Sequence, residues 1–160
     1  MTATSTSPST GLSTTVEMTA RYDLAAPVPV GPGPFGTRMV FGFTGGRVEG
    51  ERISADVVPG GADYLLVGPD GFGRIDVRGT LQTDDGAAVY VHYTGLISMN
   101  EAVGTALATG GGTEWTDQYF RVAPQFETGD ERYAWLNQSL FVAEGRIVPG
   151  AIEYRICRVS

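Results

Sequence analysis

The chain alternates short runs of apolar and polar residues with turn signals that recur roughly every ten positions. Residues 74–83 show this alternation well, with Ile75 and Val77 separated by charged or polar side chains. Glycine- and aspartate-rich stretches, such as residues 59–61 and 84–86, interrupt the runs. Short alternating runs at this spacing are typical of all-β sandwiches and barrels. We therefore predict an all-β fold with roughly eight strands or more.

Two segments depart from the strand pattern. Residues 100–108 have the composition of a short helix, and the glycines at 110–112 would end it. Residues 2–15 are almost entirely Ser, Thr, Ala, Pro and Gly, which cannot bury enough apolar surface to become ordered. Since 160 residues suit one domain, we predict a disordered tail over residues 1–18 and a single domain over residues 19–160.

The turn at residues 84–86 sets the register of the hairpin around it. Its composition fits a three-residue loop with glycine in the left-handed position. That loop places Val77 opposite Tyr93 and Arg78 opposite His92, which leaves one face of the hairpin apolar. The other face is polar, and its members are Asp76, Arg78, Thr80, Tyr90, His92 and Thr94.

This polar face supports two interpretations. Antiparallel sheets usually leave one face in water, so the cluster can be a solvated outer surface. It can also line the interior, because ligand-binding barrels carry a few polar groups among aromatic ones. We predict the interior placement, with Asp76 and Arg78 as catalytic residues and Tyr90 and His92 as ligand-binding residues. Arg78 would then hold Asp76 in its ionised form.

A second candidate cluster lies further along the chain. Tyr119 and Arg121 share one strand face, and Trp135 and Asn137 share a face of the following predicted strand. We predict that the first two are catalytic and that the second two orient the ligand, on the opposite side of the same cavity. Simpler interpretations are a core position for Trp135, a surface charge for Arg121, and a backbone hydrogen bond for Asn137.

The composition excludes several kinds of chemistry. Lysine is absent and all 11 basic residues are arginines, so the chain offers no Schiff base and no phosphate loop ending in Gly-Lys-Ser/Thr. The single histidine, His92, and the single cysteine, Cys157, lie far apart in the sequence. Zinc and iron sites need clusters of His, Cys and carboxylate ligands. A calcium or magnesium site made of carboxylates alone stays possible, although the turn at residues 84–86 is too short for the known loop patterns. We predict neither a metal nor a cofactor.

The overall charge limits the partners of the chain. Its net charge of −7 repels nucleic acid phosphates and anionic lipid, so we expect neither nucleic acid nor membrane as a partner. No apolar run reaches the length of a transmembrane helix. A lone cysteine cannot form an internal disulfide, so nothing points to an oxidising compartment. These observations together predict a cytoplasmic protein.

Over about residues 20–159 the chain resembles domain-of-unknown-function family 3237. The resemblance rests on six segments in the same order: GGRVEG (45–50), PGGADY (59–64), IDVRGTL (75–81), TDDGA (83–87), YFRVAPQFETG (119–129) and RYAWLN (132–137). It implies a closed or nearly closed antiparallel β-barrel, similar to the allene oxide cyclase and dirigent barrels. Those barrels hold small hydrophobic molecules in a central cavity and steer cyclisation or coupling without a cofactor.

The functional prediction combines this resemblance with the candidate residues. We predict a cofactor-free barrel that binds a small hydrophobic molecule and promotes isomerisation, cyclisation or elimination, with Asp76 or Tyr119 as the proton-transfer group. Arg78 and Arg121 would stabilise developing negative charge. One alternative is a small-molecule-binding protein without catalysis, and another is a structural domain that only forms oligomers. We also expect the chain to form a homo-oligomer.

Overall fold

Eight antiparallel strands close into a barrel in the computed structural model of the chain, which describes residues 9–160. The described part of the chain has nine strands, of which all but β2 form the ring: β1 (Thr14–Leu24), β2 (Val28–Gly33), β3 (Gly36–Gly50), β4 (Ser54–Val67), β5 (Phe72–Thr83), β6 (Ala88–Ser98), β7 (Phe120–Glu127), β8 (Leu140–Val148) and β9 (Ala151–Val159). The helices are α1 (Glu101–Thr109) and α2 (Ala134–Asn137), with a 3-10 turn at Glu131–Tyr133 before α2. The predicted all-β class is confirmed.

The sheet order explains how the barrel closes. Neighbouring strands pair in the order β1-β9-β8-β7-β6-β5-β4-β3-β2, and a further pairing between β1 and β3 joins the two ends. Strand β2 pairs only with β3 and therefore lies outside the closed ring. The predicted antiparallel closed barrel is confirmed. Within residues 9–160 no helix has the length and apolar character needed to cross a membrane.

The predicted helix forms, and both of its ends are capped. The Oδ1 atom of Asn100 accepts a hydrogen bond from the Val103 backbone N–H at 3.1 Å, and Gly110 ends α1 in the left-handed conformation. Val103 and Ala106 are the buried residues of α1 and face one end of the barrel. Helix α2 and the preceding 3-10 turn were not predicted.

The domain boundary differs from the prediction. Strand β1 begins at Thr14, so residues 14–18, which were assigned to the disordered tail, belong to the barrel. They pair with the last strand, for example Thr14 with Val159 and Met18 with Ile156. Main-chain hydrogen bonds order this Ser/Thr-rich segment, and such bonds do not depend on apolar side chains. Residues 1–8 of the predicted tail lie outside the described part of the chain.

The hairpin between β5 and β6 has the predicted register. Val77 lies opposite Tyr93 and Arg78 opposite His92, and Gly86 has a φ of 93° in the turn. The apolar face of this hairpin points into the barrel, where Val77 and Tyr93 are buried. One half of the interior is filled by tightly buried side chains, namely Met18, Val48, Leu81, Val89 and Val91. The other half, toward α1, is not filled.

Candidate functional site

An apolar cavity of about 260 Å³ occupies the unfilled half of the barrel. Six aromatic side chains contribute to its wall, namely Tyr22, Phe41, Phe43, Tyr93, Phe120 and Tyr154. Its rim includes the exposed residues Pro27, Leu107 and Gly150, from the loop after β1, from α1 and from the turn between β8 and β9. The cavity therefore opens to solvent at the end of the barrel that α1 partly covers.

The Asp63 side chain projects into this cavity from β4. Asp63 is paired with Phe41 on β3 and with Val77 on β5, and the side chain of Val77 lies in the interior. Directly opposed residues of an antiparallel sheet share a face, so Asp63 shares the inward face with Val77. Its Oδ1 atom accepts a hydrogen bond from the backbone N–H of Asp76 at 3.2 Å. The carboxyl group is thus anchored on one oxygen.

The environment of Asp63 changes its acidity. Burial raises the pKa of Asp63 to about 7, because removing the carboxylate from water disfavours its charged form. The hydrogen bond from the Asp76 N–H opposes this effect, and negative charge on the Asp76 carboxylate adds to it. The accessible part of Asp63 faces the cavity. Both protonation states are therefore populated near neutral pH, which suits a general acid or base.

Three tyrosines surround the same part of the cavity. The ring centroids of Tyr93 and Tyr154 are 5.4 Å apart, and the ring of Tyr22 lies about 6 Å from each of them. Burial raises the pKa of all three phenols, and negative charge on Asp63 raises those of Tyr93 and Tyr154 further. The three phenols therefore stay neutral over a wide pH range and remain hydrogen-bond donors.

The charges and potential metal ligands of the cavity are few. Among the described residues that line it, Asp63 is the only Asp, Glu, Arg or His. Within residues 9–160, no three His, Cys, Asp or Glu side chains come together in a way that could hold a metal ion. The chemistry available to the wall is therefore that of one carboxyl group and the neighbouring phenols.

Comparison with known proteins identifies the family. Residues 12–159 match the family described as "protein of unknown function (DUF3237)". The chain belongs to the DUF3237 family. The UPF0311 protein RPA1785 of Rhodopseudomonas palustris is 38% identical to it over 107 residues, which is 67% of this chain and 70% of that protein. The predicted family resemblance is confirmed.

Solved structures share the DUF3237 barrel. The crystal structure of RPA1785 superposes with a TM-score of 0.86 at 30% identity, and covers 97% of this chain and 100% of its own. A β-barrel-like protein of Acinetobacter baumannii superposes with a TM-score of 0.81 at 28% identity, and the match covers 96% of this chain and 99% of that protein. An enzyme of Penicillium herquei shares the fold, with a TM-score of 0.71 at 20% identity. The match covers 97% of this chain and 99% of that protein.

The first predicted cluster lies on the outside of this DUF3237 barrel. Arg78 and Tyr90 are exposed, and the Nη1 atom of Arg78 donates to the Tyr90 hydroxyl at 3.3 Å. The Nε2 atom of His92 lies 3.5 Å from Oδ1 of Asp76 on the same outer face. The predicted interior placement of these four residues is wrong. In a barrel with the apolar face of the hairpin inward, the polar face lies on the outer surface.

The second predicted cluster is also outside the cavity. Tyr119 is 53% exposed, and the guanidinium of Arg121 lies 5.3 Å from its ring and 3.7 Å from the Glu144 carboxylate. Both residues lie on the outer surface near the start of β7. Their predicted placement in the cavity wall is wrong, because Phe120 and Val122 take the inward positions of this strand.

Trp135 and Asn137 lie in α2 rather than on a strand, so their predicted strand placement is also wrong. The Trp135 ring packs under the guanidinium of Arg52 at 3.7 Å, at the end of the barrel opposite α1. The Asn137 side chain accepts from Thr128 N at 2.9 Å and donates to Thr128 O at 2.8 Å. Asn137 thus satisfies backbone groups of the loop after β7, as its simpler interpretation proposed.

None of the eight predicted site residues lines the cavity, and the sequence reasoning missed Asp63. This residue lies within the segment PGGADY, which carried part of the family resemblance. The alternation of the sequence could not predict that Asp63 points inward, because the strand is irregular just before it. Gly60 adopts a φ of 111°, and the register with β5 shifts between Val58 and Ala62. Tyr93 was placed correctly on the apolar face, where its hydroxyl was a usable signal of a polar group inside.

Proposed function

We propose that the cavity binds a small, largely apolar molecule and that Asp63 transfers a proton to or from it without a cofactor. The observation that carries this proposal is a carboxyl group, anchored on one oxygen by the Asp76 N–H, inside an apolar cavity that opens to solvent. Burial there raises the pKa of Asp63 to about 7. The reaction classes are those predicted from the sequence: isomerisation, cyclisation or elimination. The proposal assigns the acid–base role to Asp63, in place of Asp76 or Tyr119 as predicted from the sequence.

The surroundings of Asp63 support proton transfer. An ionised Asp63 takes a proton from the ligand, and the neutral acid then returns it to another atom of the ligand. Apolar walls strengthen electrostatic interactions within the cavity. The hydroxyls of Tyr93 and Tyr154 can donate hydrogen bonds to an oxygen on which negative charge develops. The fold is compatible with catalysis, since the Penicillium herquei protein that shares it is described as an enzyme.

A binding function without catalysis is the second candidate. A carboxylate among six aromatic side chains also suits a cation with apolar substituents. Such a cation would pair with Asp63 and contact the ring faces. A cationic ligand would hold Asp63 ionised, whereas proton transfer needs both of its protonation states.

The homo-oligomer and the cytoplasmic location expected from the sequence stay predictions.

The first experiment identifies the ligand and then tests the proton transfer. Native mass spectrometry of protein purified from its own host would reveal a copurifying small molecule. That molecule is then incubated with the protein in D₂O, and deuterium incorporation is followed by NMR. We expect wild-type protein to accelerate the exchange and Asp63→Asn to lose most of the acceleration, because an amide cannot take up the proton.

A matched control comes from the same strand. Asp56 lies on β4 with its side chain 72% exposed and contacts Arg47 on the outer surface. The Asp56→Asn variant should therefore catalyse deuterium incorporation into the ligand at the wild-type rate. Equal exchange rates in wild type and Asp63→Asn would rule out the proposed role of Asp63.

A further inference from the structure

We propose that the substrate is an uncharged carbonyl compound, that Asp63 removes a proton from the carbon beside its carbonyl group, and that the hydroxyls of Tyr93 and Tyr154 hydrogen-bond the resulting enolate oxygen. This inference rests on the proposed function and names the substrate class for it.

The size of the cavity limits the substrate. An apolar cavity of about 150 Å³ holds a benzene ring. On that scale the 260 Å³ cavity admits roughly ten non-hydrogen atoms. This is a single substituted ring or a short branched chain. The aromatic side chains that line the wall favour a flat molecule, which can stack against them or meet them edge on.

The charge of the cavity limits the substrate further. No basic side chain is found among the described lining residues, and the one ionisable acid is Asp63. A phosphate or carboxylate on the ligand would enter without a counter-charge, and its desolvation would be uncompensated. When Asp63 is ionised, the like charge would repel such a ligand as well. A neutral substrate avoids both costs.

The two phenols supply donors where negative charge would form. Tyr93 and Tyr154 both line the cavity, and both are close enough to Asp63 for its charge to influence their pKa values. Because burial raises the pKa of each phenol, both keep their protons when Asp63 is ionised. The two hydroxyls also interact with each other, and each can turn from the other to an oxygen of the ligand. A neutral hydroxyl in an apolar wall is well suited to stabilise an oxyanion.

The reaction step balances without a further reactant. The Asp63 carboxylate takes the proton, the C–H electron pair forms a carbon–carbon double bond, and the carbonyl π pair moves to oxygen. The substrate must therefore carry a carbon–carbon double bond in the β,γ position, so that the enolate is a conjugated dienolate. The neutral Asp63 acid then returns the proton to the γ carbon, the double bond shifts to the α,β position, and the carbonyl re-forms. The net change is movement of a double bond, which is an isomerisation.

The test uses 4-nitrophenol, a flat molecule of about ten non-hydrogen atoms that matches the cavity scale. Its phenolate resembles an enolate, and its visible absorbance distinguishes phenolate from phenol. At alkaline pH the ionised Asp63 of the wild type opposes the phenolate, whereas Asp63→Asn removes that charge and keeps an oxygen for the Asp76 N–H. We expect the variant to bind the phenolate about tenfold more tightly, the effect of one pKa unit of charge interaction.

The tyrosine contribution is measured in the Asp63→Asn background. Tyr93→Phe should weaken phenolate binding about tenfold, because a hydrogen bond to a charged group is lost. Tyr154→Phe is the second variant, in case the first disturbs folding. Tyr90→Phe is the matched control: Tyr90 is on the same strand but faces outward, so it should leave binding unchanged.

The outcomes separate this inference from the proposed function. Binding of neutral 4-nitrophenol alone, phenolate binding insensitive to both tyrosine variants, or no binding in any variant would overturn the enolate inference. The exchange of the copurified ligand in D₂O would still test the role of Asp63 independently. Tighter binding of benzyltrimethylammonium to the wild type than to Asp63→Asn, without phenolate binding, would identify a cation site and also overturn the inference.

Discussion

Asp63 and Asp76 lie on opposite sides of the barrel wall but are joined by a hydrogen bond. The backbone N–H of Asp76 donates to Oδ1 of Asp63 at 3.2 Å, while the Asp76 side chain lies on the outer face, 3.5 Å from Nε2 of His92. The β4–β5 register is the same on both sides of this point, from the pair Asp63–Val77 to the pair Leu66–Arg74. A charge on the outer surface can thus influence the carboxyl group inside.

Asp76→Asn should lower the pKa of Asp63, because it removes a negative charge that adds to the effect of burial. The shift should be less than about one unit, since the Asp76 side chain is partly exposed and water screens its charge. Carbon-13 NMR titration of the Asp63 carboxyl would measure it. Asp70→Asn is the control, because Asp70 pairs with Arg74 on the surface. An unchanged or raised value in Asp76→Asn would contradict the coupling.

Asp63→Asn should stabilise the protein at alkaline pH. The pKa of Asp63 is raised by burial from 3.8 to about 7 in the folded chain, so the folded state holds this proton more tightly than the unfolded state. Its contribution to stability is fully present below pH 3.8 and is lost as the pH rises to about 7.

Removing this carboxyl should therefore gain roughly 2–4 kcal/mol in the free energy of unfolding above neutral pH. Below the ordinary pKa of an aspartate the gain should disappear, because the carboxyl is then neutral in both states. Urea unfolding of wild type and variant at acidic and alkaline pH would show this trend. A gain of the same size at both pH values would indicate that Asp63 is not desolvated.

Arg78→Ala should change the free energy of unfolding by no more than about 0.5 kcal/mol, as is usual for surface substitutions. The side chain is exposed, and its described hydrogen bond is to the Tyr90 hydroxyl. Leu81→Ala on the same strand provides the contrast, since Leu81 is fully buried and the cavity it leaves should cost about 2–5 kcal/mol. Urea unfolding would measure both. A large decrease in the free energy of unfolding for Arg78→Ala would indicate that this side chain lies in the interior.

Ala106→Leu should abolish ligand binding without unfolding the protein. Ala106 is buried on the inner side of α1 and lines the cavity, so a larger side chain would occupy the space of the ligand. Filling an existing cavity should leave stability unchanged or slightly increased. Isothermal titration with 4-nitrophenol and a thermal melt would test both expectations. Ala108→Leu, at an exposed position of the same helix, should bind normally, and normal binding by Ala106→Leu would place the ligand elsewhere.

Features that depend on neighbouring residues could be predicted from the sequence. Alternation with a period of two defines the strands, and the turn at residues 84–86 sets the pairing of Val77 with Tyr93. Helix α1 and its C-terminal end follow from the composition of residues 100–108 and the glycines after them. Local hydrogen bonding and loop length determine these features, so they do not depend on how the barrel closes.

The direction of each face and the acidity of Asp63 were decided by the tertiary structure. Pairing of β1 with β3 closes the barrel, and closure puts Val77 and Tyr93 inside while Asp76 and Arg78 stay on the outer face. The same closure surrounds Asp63 with apolar and aromatic walls from strands that are distant in the sequence. Desolvation depends on everything that displaces water around a carboxyl group, so its raised pKa arises only in the assembled barrel.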